Sequence, residues 1–256
     1  MNLNLANKVA IVTGASRGIG RSIAEGLSQE RMRLVLAARS GDLLQEVAQA
    51  CKEAIIVAAD LREENAPQKL VALAIEKFGR IDLLVNNAGA TKRGDFLQLT
   101  EEDWRDGFAL KFYCAVRCSR AAWSHLVNTQ GSIVNIVGVG GRTGSAEFAI
   151  GGAVNAALLN LTKVLADRGI KDGVRVNAIN PGAISTDRLE IRIKKLAEEG
   201  GMAFEAASSQ MAEQLGVKRF GKPAEIAAVV AFLASDQANY CQGTILDVDG
   251  GQTKTL

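Results

Sequence analysis

A glycine-rich turn is the first feature of the chain that could bind a ligand. The apolar run Val9–Thr13 predicts a strand, and it leads directly into Gly14-Ala15-Ser16-Arg17-Gly18-Ile19-Gly20. A strand, a glycine turn and a helix start in that order place backbone N–H groups around a phosphate. Gly14 permits the tight turn, Gly18 lets the backbone approach a pyrophosphate, and Gly20 lets helix and strand pack closely. The turn indicates dinucleotide binding, although its spacing departs from the common G-x-G-x-x-G and a purely structural loop also fits it.

Three further motifs stand where predicted strands end. Asn86-Asn87-Ala88-Gly89 closes the fourth strand, Asn180-Pro181-Gly182-Ala183-Ile184-Ser185-Thr186 the sixth, and Asp247-Val248-Asp249-Gly250-Gly251 the seventh. Ligands of open α/β sheets bind beyond the carboxyl ends of the strands. The four motifs are therefore expected to surround one site.

The elements that must position these motifs alternate between short apolar runs and longer helical patterns. Near-continuous apolar runs are typical of parallel strands covered on both faces. The alternation predicts an α/β fold, a doubly wound parallel sheet of seven strands with helices on both faces. The predicted strands are Val9–Thr13, Arg33–Ala38, Ala54–Ala59, Ile81–Asn86, Ser132–Val137, Val174–Asn180 and Thr244–Val248. We expect a single domain over residues 1–256, with a helical substrate lid inserted at about 187–216.

In this order, T-G-x-x-x-G-x-G, N-N-A-G, N-P-G and D-G-G resemble the short-chain dehydrogenase/reductase family, in particular its 3-oxoacyl-carrier-protein reductases. The resemblance covers Lys8 to Gly251. It implies an oxidoreductase that uses a nicotinamide dinucleotide, with cofactor contacts at all four motifs and just after the third strand. The residues implied are Gly14, Ser16, Arg17, Gly18, Ile19, Gly20, Asp60, Asn87, Ala88, Gly89, Pro181, Gly182, Ile184 and Thr186.

Arg39 bears on which dinucleotide is bound. The second strand ends Leu36-Ala37-Ala38-Arg39-Ser40, where an acid would bind a ribose 2′-hydroxyl and repel a 2′-phosphate. An arginine pairs with the 2′-phosphate instead, and Arg17 adds a second cation nearby. These residues favour NADP(H) over NAD(H), the alternative being that both arginines are simply solvated.

The resemblance also implies where the family's Asn-Ser-Tyr-Lys tetrad should fall. The W-x6-N segment that starts at Trp104, the run Gly131–Ile136 and the Y-x3-K spacing set the register. The tetrad positions then carry Lys111, Gly138, Gly151 and Asn155, so the tyrosine that exchanges a proton with substrate is missing. The catalytic residues are unknown on this ground, and Lys111 is the best candidate.

The replacements have two interpretations. Lysine and asparagine are exchanged, so Lys111 could reach the space that the usual lysine leaves, or drift could have removed a dead site. Gly138 and Gly151 likewise could open space for a bulkier group, or be tolerated by chance. Three functions remain open: an NADP(H)-dependent oxidoreductase with a rebuilt active site acting on an unidentified carbonyl or alcohol, a catalytically inactive NADP(H)-binding regulatory or assembly partner, and a non-redox lyase or hydrolase.

The lid region has two features of its own. Leu189, Ile193 and Leu196 recur at helical spacing and predict an apolar face that could cover substrate. The basic residues between them could meet an anionic group such as a carboxylate or a phosphopantetheine carrier, or form a solvated face. They are Arg188, Arg192, Lys194 and Lys195.

Composition limits the remaining possibilities. Of the 256 residues 48% are hydrophobic and 23% charged, with a formal net charge of +2. We therefore expect no nucleic-acid or membrane partner, no apolar run near the roughly 18 residues of a spanning helix, and a cytoplasmic location. The cysteines lack metal-ligand spacing, so no metal is expected. By analogy with the family we expect a homotetramer, or a hetero-oligomer with an active relative, that takes a small-molecule or acyl-carrier substrate. The family analogy places the tetramer interface at two long helices, around Glu102 to Leu126 and Phe148 to Asp167, and at the last strand.

Overall fold

The computed structural model, which describes residues 2–255, is built on one parallel sheet. Its seven strands lie in the order β3-β2-β1-β4-β5-β6-β7. They are β1 Val9–Thr13, β2 Arg33–Ala38, β3 Ala54–Ala58, β4 Leu83–Asn86, β5 Ser132–Ile136, β6 Arg175–Pro181 and β7 Ile245–Val248. The prediction of a doubly wound α/β fold is confirmed.

Helices cover both faces of the sheet, which is why most of its strand residues are apolar. In β1, Ala10 and Val12 pack into one core and Val9 and Ile11 into the other, because successive side chains point to opposite faces. The first core is completed by α1 (Gly18–Gln29), α2 (Gly41–Ala50) and α9 (Pro223–Ala234). The second is completed by α3 (Ala66–Phe78), α5 (Cys114–Thr129) and part of α6 (Ala149–Asp172).

The strand order reverses between β1 and β4, and this reversal places the binding motifs. From β1 the chain builds β2 and β3 to one side, then returns to add β4 through β7 on the other. A crevice therefore opens beyond the carboxyl ends of β1 and β4, as in other doubly wound sheets. Thr13–Gly20 and Asn87–Gly89 leave the sheet at this crevice, so the predicted juxtaposition of the motifs is confirmed.

The predicted strand boundaries are accurate to within two residues. Helix α1 follows β1 closely and begins at Gly18, because the last glycines of the turn already form its first helical turn. β4 begins at Leu83 and not at Ile81, although the Asp82 N–H still donates to the Val9 carbonyl, 2.9 Å away. β6 extends to Pro181, which pairs in register with Val248.

The long helix expected around 102–126 is interrupted. It consists of α4 (Glu101–Gly107), a π-helical segment (Phe108–Tyr113) and α5. π-helical turns insert a residue into the helical repeat, and they are frequent at functional sites. Lys111 lies within this segment.

The lid region folds into two helices that pack on each other, α7 (Asp187–Gly200) and α8 (Phe204–Gln214). Leu189 and Ile193 are buried with Ala207 and Met211 in a separate small core, and Leu196 packs at its edge. The expectation that these α7 residues present an open face to substrate is therefore wrong, because α8 covers that face.

One helix, Ala146–Asp172, is long and apolar enough to cross a membrane by length and composition alone. The expectation that no run reaches that length is therefore wrong. The helix packs along β6 as part of the fold, and core helices of globular proteins often pass the same test.

Candidate functional site

The glycine turn has the geometry of a phosphate cradle. Gly14 and Gly18 have φ of +67° and +56°, the left-handed region that glycine adopts without strain. A Cβ on Gly20 would collide with the Gly14 carbonyl oxygen, so only glycine lets α1 start this close to β1. The predicted roles of these glycines as turn and packing residues therefore agree with the backbone.

The N-terminus of α1 fits an anion. Its N-cap residue, Arg17, has extended backbone and no side-chain capping bond, and the first turn contains no acidic residue. The first N–H groups of a helix have no partner within it, and the helix dipole favours negative charge there. This uncapped turn, with the backbone space that Gly14 and Gly18 leave, suits the pyrophosphate of a dinucleotide.

Thr13 joins the glycine turn to the second motif. Its hydroxyl donates to the Val85 carbonyl and accepts from the backbone N–H groups of Asn87 and Ala88, at 2.9 and 3.0 Å. The Asn87 amide in turn donates to the carbonyls of Thr13 and Gly14. The two turns are therefore held as one rigid floor under the site.

The third motif closes over this floor. The Thr186 methyl group lies 3.4 Å from where a Cβ on Gly18 would stand, so the start of α7 touches the glycine turn. Gly182 packs against Asp249, because a Cβ there would lie 2.7 Å from the Asp249 Cβ. The Ile184 side chain is buried in the first core, so a ligand could contact this residue through its backbone.

At the predicted adenine end of the site, one of the two expected residues is already paired within the protein. Arg39 is exposed at the end of β2, and no ion pair to it occurs among the residues the structure describes. Asp60, expected to meet the adenine, is held by Arg62, whose Nη2 lies 2.8 Å from its carboxylate. The bonds from Arg62 lower the pKa of Asp60, and the charge of Arg39 adds to this. An adenine bound here would have to share the Asp60 carboxylate with Arg62.

Lys111 and Asn155, the exchanged pair, are in direct contact. The Lys111 Nζ donates to the Asn155 Oδ1 and to the Val137 carbonyl, both at 2.5 Å. Its stem crosses Gly89, where an added Cβ would lie 2.9 Å from the Lys111 Cδ. The lysine therefore does point into the site, between the cofactor floor and α6.

Burial changes the acidity of this amine. Desolvation, with a smaller contribution from the positive charge of Arg188, lowers the pKa of Lys111 to about 7. Near neutral pH the amine can therefore both give and take a proton, which a solvated lysine does not do.

The two glycines at the remaining tetrad positions differ from expectation. At Gly138 φ is +130°, and a Cβ would stand 3.1 Å from the Asn155 Nδ2. A Cβ added at Gly151 would coincide with the ring of Phe148. The same ring lies 2.8 Å from the position of a Cβ added at Gly140. The expectation that Gly151 opens space is therefore wrong, because the Phe148 ring fills it.

Comparison with known proteins agrees with this geometry. The family model described as enoyl-(acyl carrier protein) reductase matches residues 14–253. Meso-2,3-butanediol dehydrogenase of Serratia marcescens is 35% identical, over 96% of this chain and 95% of its own. The chain belongs to the short-chain dehydrogenase/reductase family.

Two other members of the short-chain dehydrogenase/reductase family illustrate the range of similarity. The 3-oxoacyl-(acyl-carrier-protein) reductase of Staphylococcus epidermidis is 34% identical, over 96% of this chain and 98% of its own. The solved structure of L-sorbose reductase from Gluconobacter frateurii, complexed with NADPH and L-sorbose, superposes with a TM-score of 0.96 at 33% identity, covering both chains fully.

Several contacts around this short-chain dehydrogenase/reductase site join residues of separate segments, and of these residues Arg93 lies outside the sequence motifs. The Arg93 guanidinium lies 4.1 Å from the centre of the Phe148 ring, and Arg188 donates to the Gly89 carbonyl. Asn180 joins the Gly138 N–H to Asp247, which Arg142 approaches to 3.4 Å. In the sequence, the feature that points to Arg93 as a site residue is its position four residues after the Asn-Asn-Ala-Gly motif.

Proposed function

We propose that this chain is an NADP(H)-dependent oxidoreductase that interconverts a carbonyl compound and an alcohol, with Lys111 in place of the family's tyrosine. The observation that carries the proposal is the position of the Lys111 amine. The Lys111 stem crosses Gly89 on the proposed cofactor floor, and its amine donates to Asn155. Asn155 lies on α6, the helix to which the family resemblance assigns the tyrosine and lysine.

The cofactor site supports this proposal. The uncapped start of α1 and the glycine turn would hold the pyrophosphate, and the floor formed by Asn87, Ala88 and Gly89 would lie under the nicotinamide ribose. A bound NADPH supplies the electron pair and hydrogen that reduce a carbonyl carbon. Arg39 and Arg17, both exposed at the adenosine end, suit a 2′-phosphate and favour NADP(H) over NAD(H).

The proton for the same reaction would come from Lys111. Two of its three N–H donors are directed at Asn155 and Val137, which leaves one for a substrate oxygen. As the carbonyl carbon is reduced, the ammonium gives its proton to the oxygen, forming the alcohol and leaving a neutral amine. In the reverse direction the neutral amine takes the hydroxyl proton.

Loss of NADPH absorbance with a broad panel of aldehydes and ketones tests the proposal. Lys111→Met keeps the length of the stem and removes the proton, and we expect it to lower kcat by roughly 10²- to 10⁴-fold, the size of a general-acid contribution. Lys69→Met, an exposed lysine on α3, is the matched control and should leave kcat unchanged.

The result also separates the alternatives. NADP(H) binding by calorimetry with no turnover of any substrate would indicate a regulatory or assembly partner. Substrate consumption without loss of NADPH absorbance would indicate a lyase or hydrolase. Turnover that is indifferent to Lys111→Met would contradict its role as proton donor.

A further inference from the structure

Two arginines contact the mouth of the proposed active site, and the charge of a third acts on one of them. Arg188 donates from Nη2 to the Gly89 carbonyl at 3.2 Å, beside the Lys111 stem, and Arg93 stacks on Phe148. Burial lowers the pKa of Arg93, and the charges of Arg192 and Arg188 lower it further. The charge of Arg188 also acts on Lys111. Arg188 therefore lies within electrostatic reach of both Arg93 and Lys111, and Arg192 within reach of Arg93.

Very little negative charge balances this cluster. Within residues 2–255, none of Arg93, Arg188 and Arg192 has a carboxylate within 4.0 Å, and Glu147 is the one acid whose charge favours the cationic form of Arg93. The neighbouring lysines of α7 differ: Lys194 pairs with Glu190 at 2.7 Å and Lys195 with Glu199 at 3.5 Å.

The structure therefore divides the four basic lid residues of the sequence into two groups. The lysines form ordinary i,i+4 pairs on the solvent side of α7, and such pairs are typical of a solvated helix face. Arg93 and Arg188 contact Phe148 and Gly89 at the site, and the charge of Arg192 acts on Arg93. Like charges brought together disfavour the folded state unless an anion joins them. Planar guanidinium groups match the two oxygens of a carboxylate or phosphate.

We propose that the substrate carries an oxyanion group, a carboxylate or a phosphate ester, which Arg93, Arg188 and Arg192 bind while its carbonyl group faces Lys111. The inference rests on the proposed function, since it names the substrate class of the same site. It adds one consequence: a bound anion would offset the effect of Arg188 on Lys111 and favour the protonated amine.

Matched pairs of charged and neutral carbonyl compounds test the inference. Acetoacetate is compared with methyl acetoacetate, and dihydroxyacetone phosphate with dihydroxyacetone. Calorimetry measures the binding of each to the protein with and without NADP⁺, and NADPH oxidation is followed in parallel. We expect at least one charged probe to bind about 10-fold tighter or more than its neutral partner, the size of one or more charged hydrogen bonds. The pair that shows the difference identifies the oxyanion as carboxylate or phosphate.

The variants locate the site. Arg93→Gln, Arg188→Gln and Arg192→Gln together should abolish the preference for the charged probe, with NADP⁺ affinity retained and thermal stability unchanged or raised, since repulsion among the arginines is removed. The control is Lys194→Gln with Lys195→Gln, on the same helix, which should keep the preference. Equal binding of charged and neutral probes, no binding of either charged probe, or a preference that survives the arginine variant would overturn the proposal.

The readouts keep the two proposals separate. Anion binding that the arginine variant abolishes, without NADPH oxidation, would support the anion site and count against the redox function. NADPH oxidation of neutral and charged carbonyls at equal kcat/KM would support the redox function and overturn the anion site.

Discussion

At the scale of single residues, Lys111 and Asn155 are in contact at positions where the family resemblance implies an asparagine and a lysine. The amine is now on the π-helical segment, and its hydrogen bonds to Asn155 and Val137 fix its direction. If the two positions had mutated independently of each other, there would be no reason for their side chains to be in contact. The contact favours the interpretation that Lys111 was recruited into the site.

The lowered pKa of Lys111 predicts how stability depends on pH. The folded-state pKa of about 7 lies below the ordinary value of 10.5, so the unfolded chain binds more protons between these values. The cost of burying the charge is therefore fully present below pH 7 and is relieved as the pH rises towards 10.5. Relative to Lys111→Met, the wild type should gain stability between pH 7 and 10, as measured by urea unfolding. A constant difference between the two proteins would show that the amine titrates normally.

Phe148 and Gly151 form a second coupled pair. Glycine inside a helix is less stable than alanine by about 1 kcal/mol, so Gly151→Ala should stabilise α6 if nothing obstructs it. In the native protein the new methyl group would displace the Phe148 ring from Gly151 and Arg93, and this should cancel or reverse the gain. In a Phe148→Ala background the gain of about 1 kcal/mol should appear. Unfolding of the four proteins completes the cycle, and equal effects in both backgrounds would contradict the packing described.

At the scale of elements, the lid depends on its own small core. Ile193 is 4% exposed against α8, whereas Ile191, two residues earlier on the same helix, is 66% exposed. We expect Ile193→Ala to cost about 2–5 kcal/mol, as for other buried isoleucines, and to increase hydrogen exchange in α7 and α8. Ile191→Ala should change stability by less than about 0.5 kcal/mol. Similar effects of the two variants would show that α7 does not dock through this face.

The elements also show what a sequence can and cannot predict. Strand positions followed from continuous apolar runs, because β1 and its neighbours are buried on both faces. The glycine turn followed from its spacing, since no other residue fits at Gly20. The π-helical segment could not be predicted, because its extra residue leaves the apolar pattern of a helix almost unchanged. The Phe148 ring at Gly151 and the Arg93 stack depend on contacts between separate segments.

At the scale of the whole molecule, assembly as a homotetramer remains a prediction from the family, as do the single-domain organisation and the cytoplasmic location. Several apolar side chains are exposed on the two long helices expected at the interface, among them Val164 at 56% and Ile170 at 72%. Light scattering should give four times the chain mass. Val164→Glu should dissociate the assembly, since it buries a charge, whereas Ile191→Glu on the lid should not. A monomeric wild type would contradict the prediction.

The pH dependence of carbonyl reduction tests the central claim, that Lys111 is the proton donor. Reduction needs the protonated amine, so kcat/KM for NADPH-dependent reduction should be highest below pH 7 and fall as the pH rises through about 7, the pKa of Lys111. The reverse oxidation should rise over the same interval. Lys111→Met should give a low rate without this transition, while Lys69→Met should keep it. A wild-type profile that is flat through pH 7, or the same transition in Lys111→Met, would contradict the account.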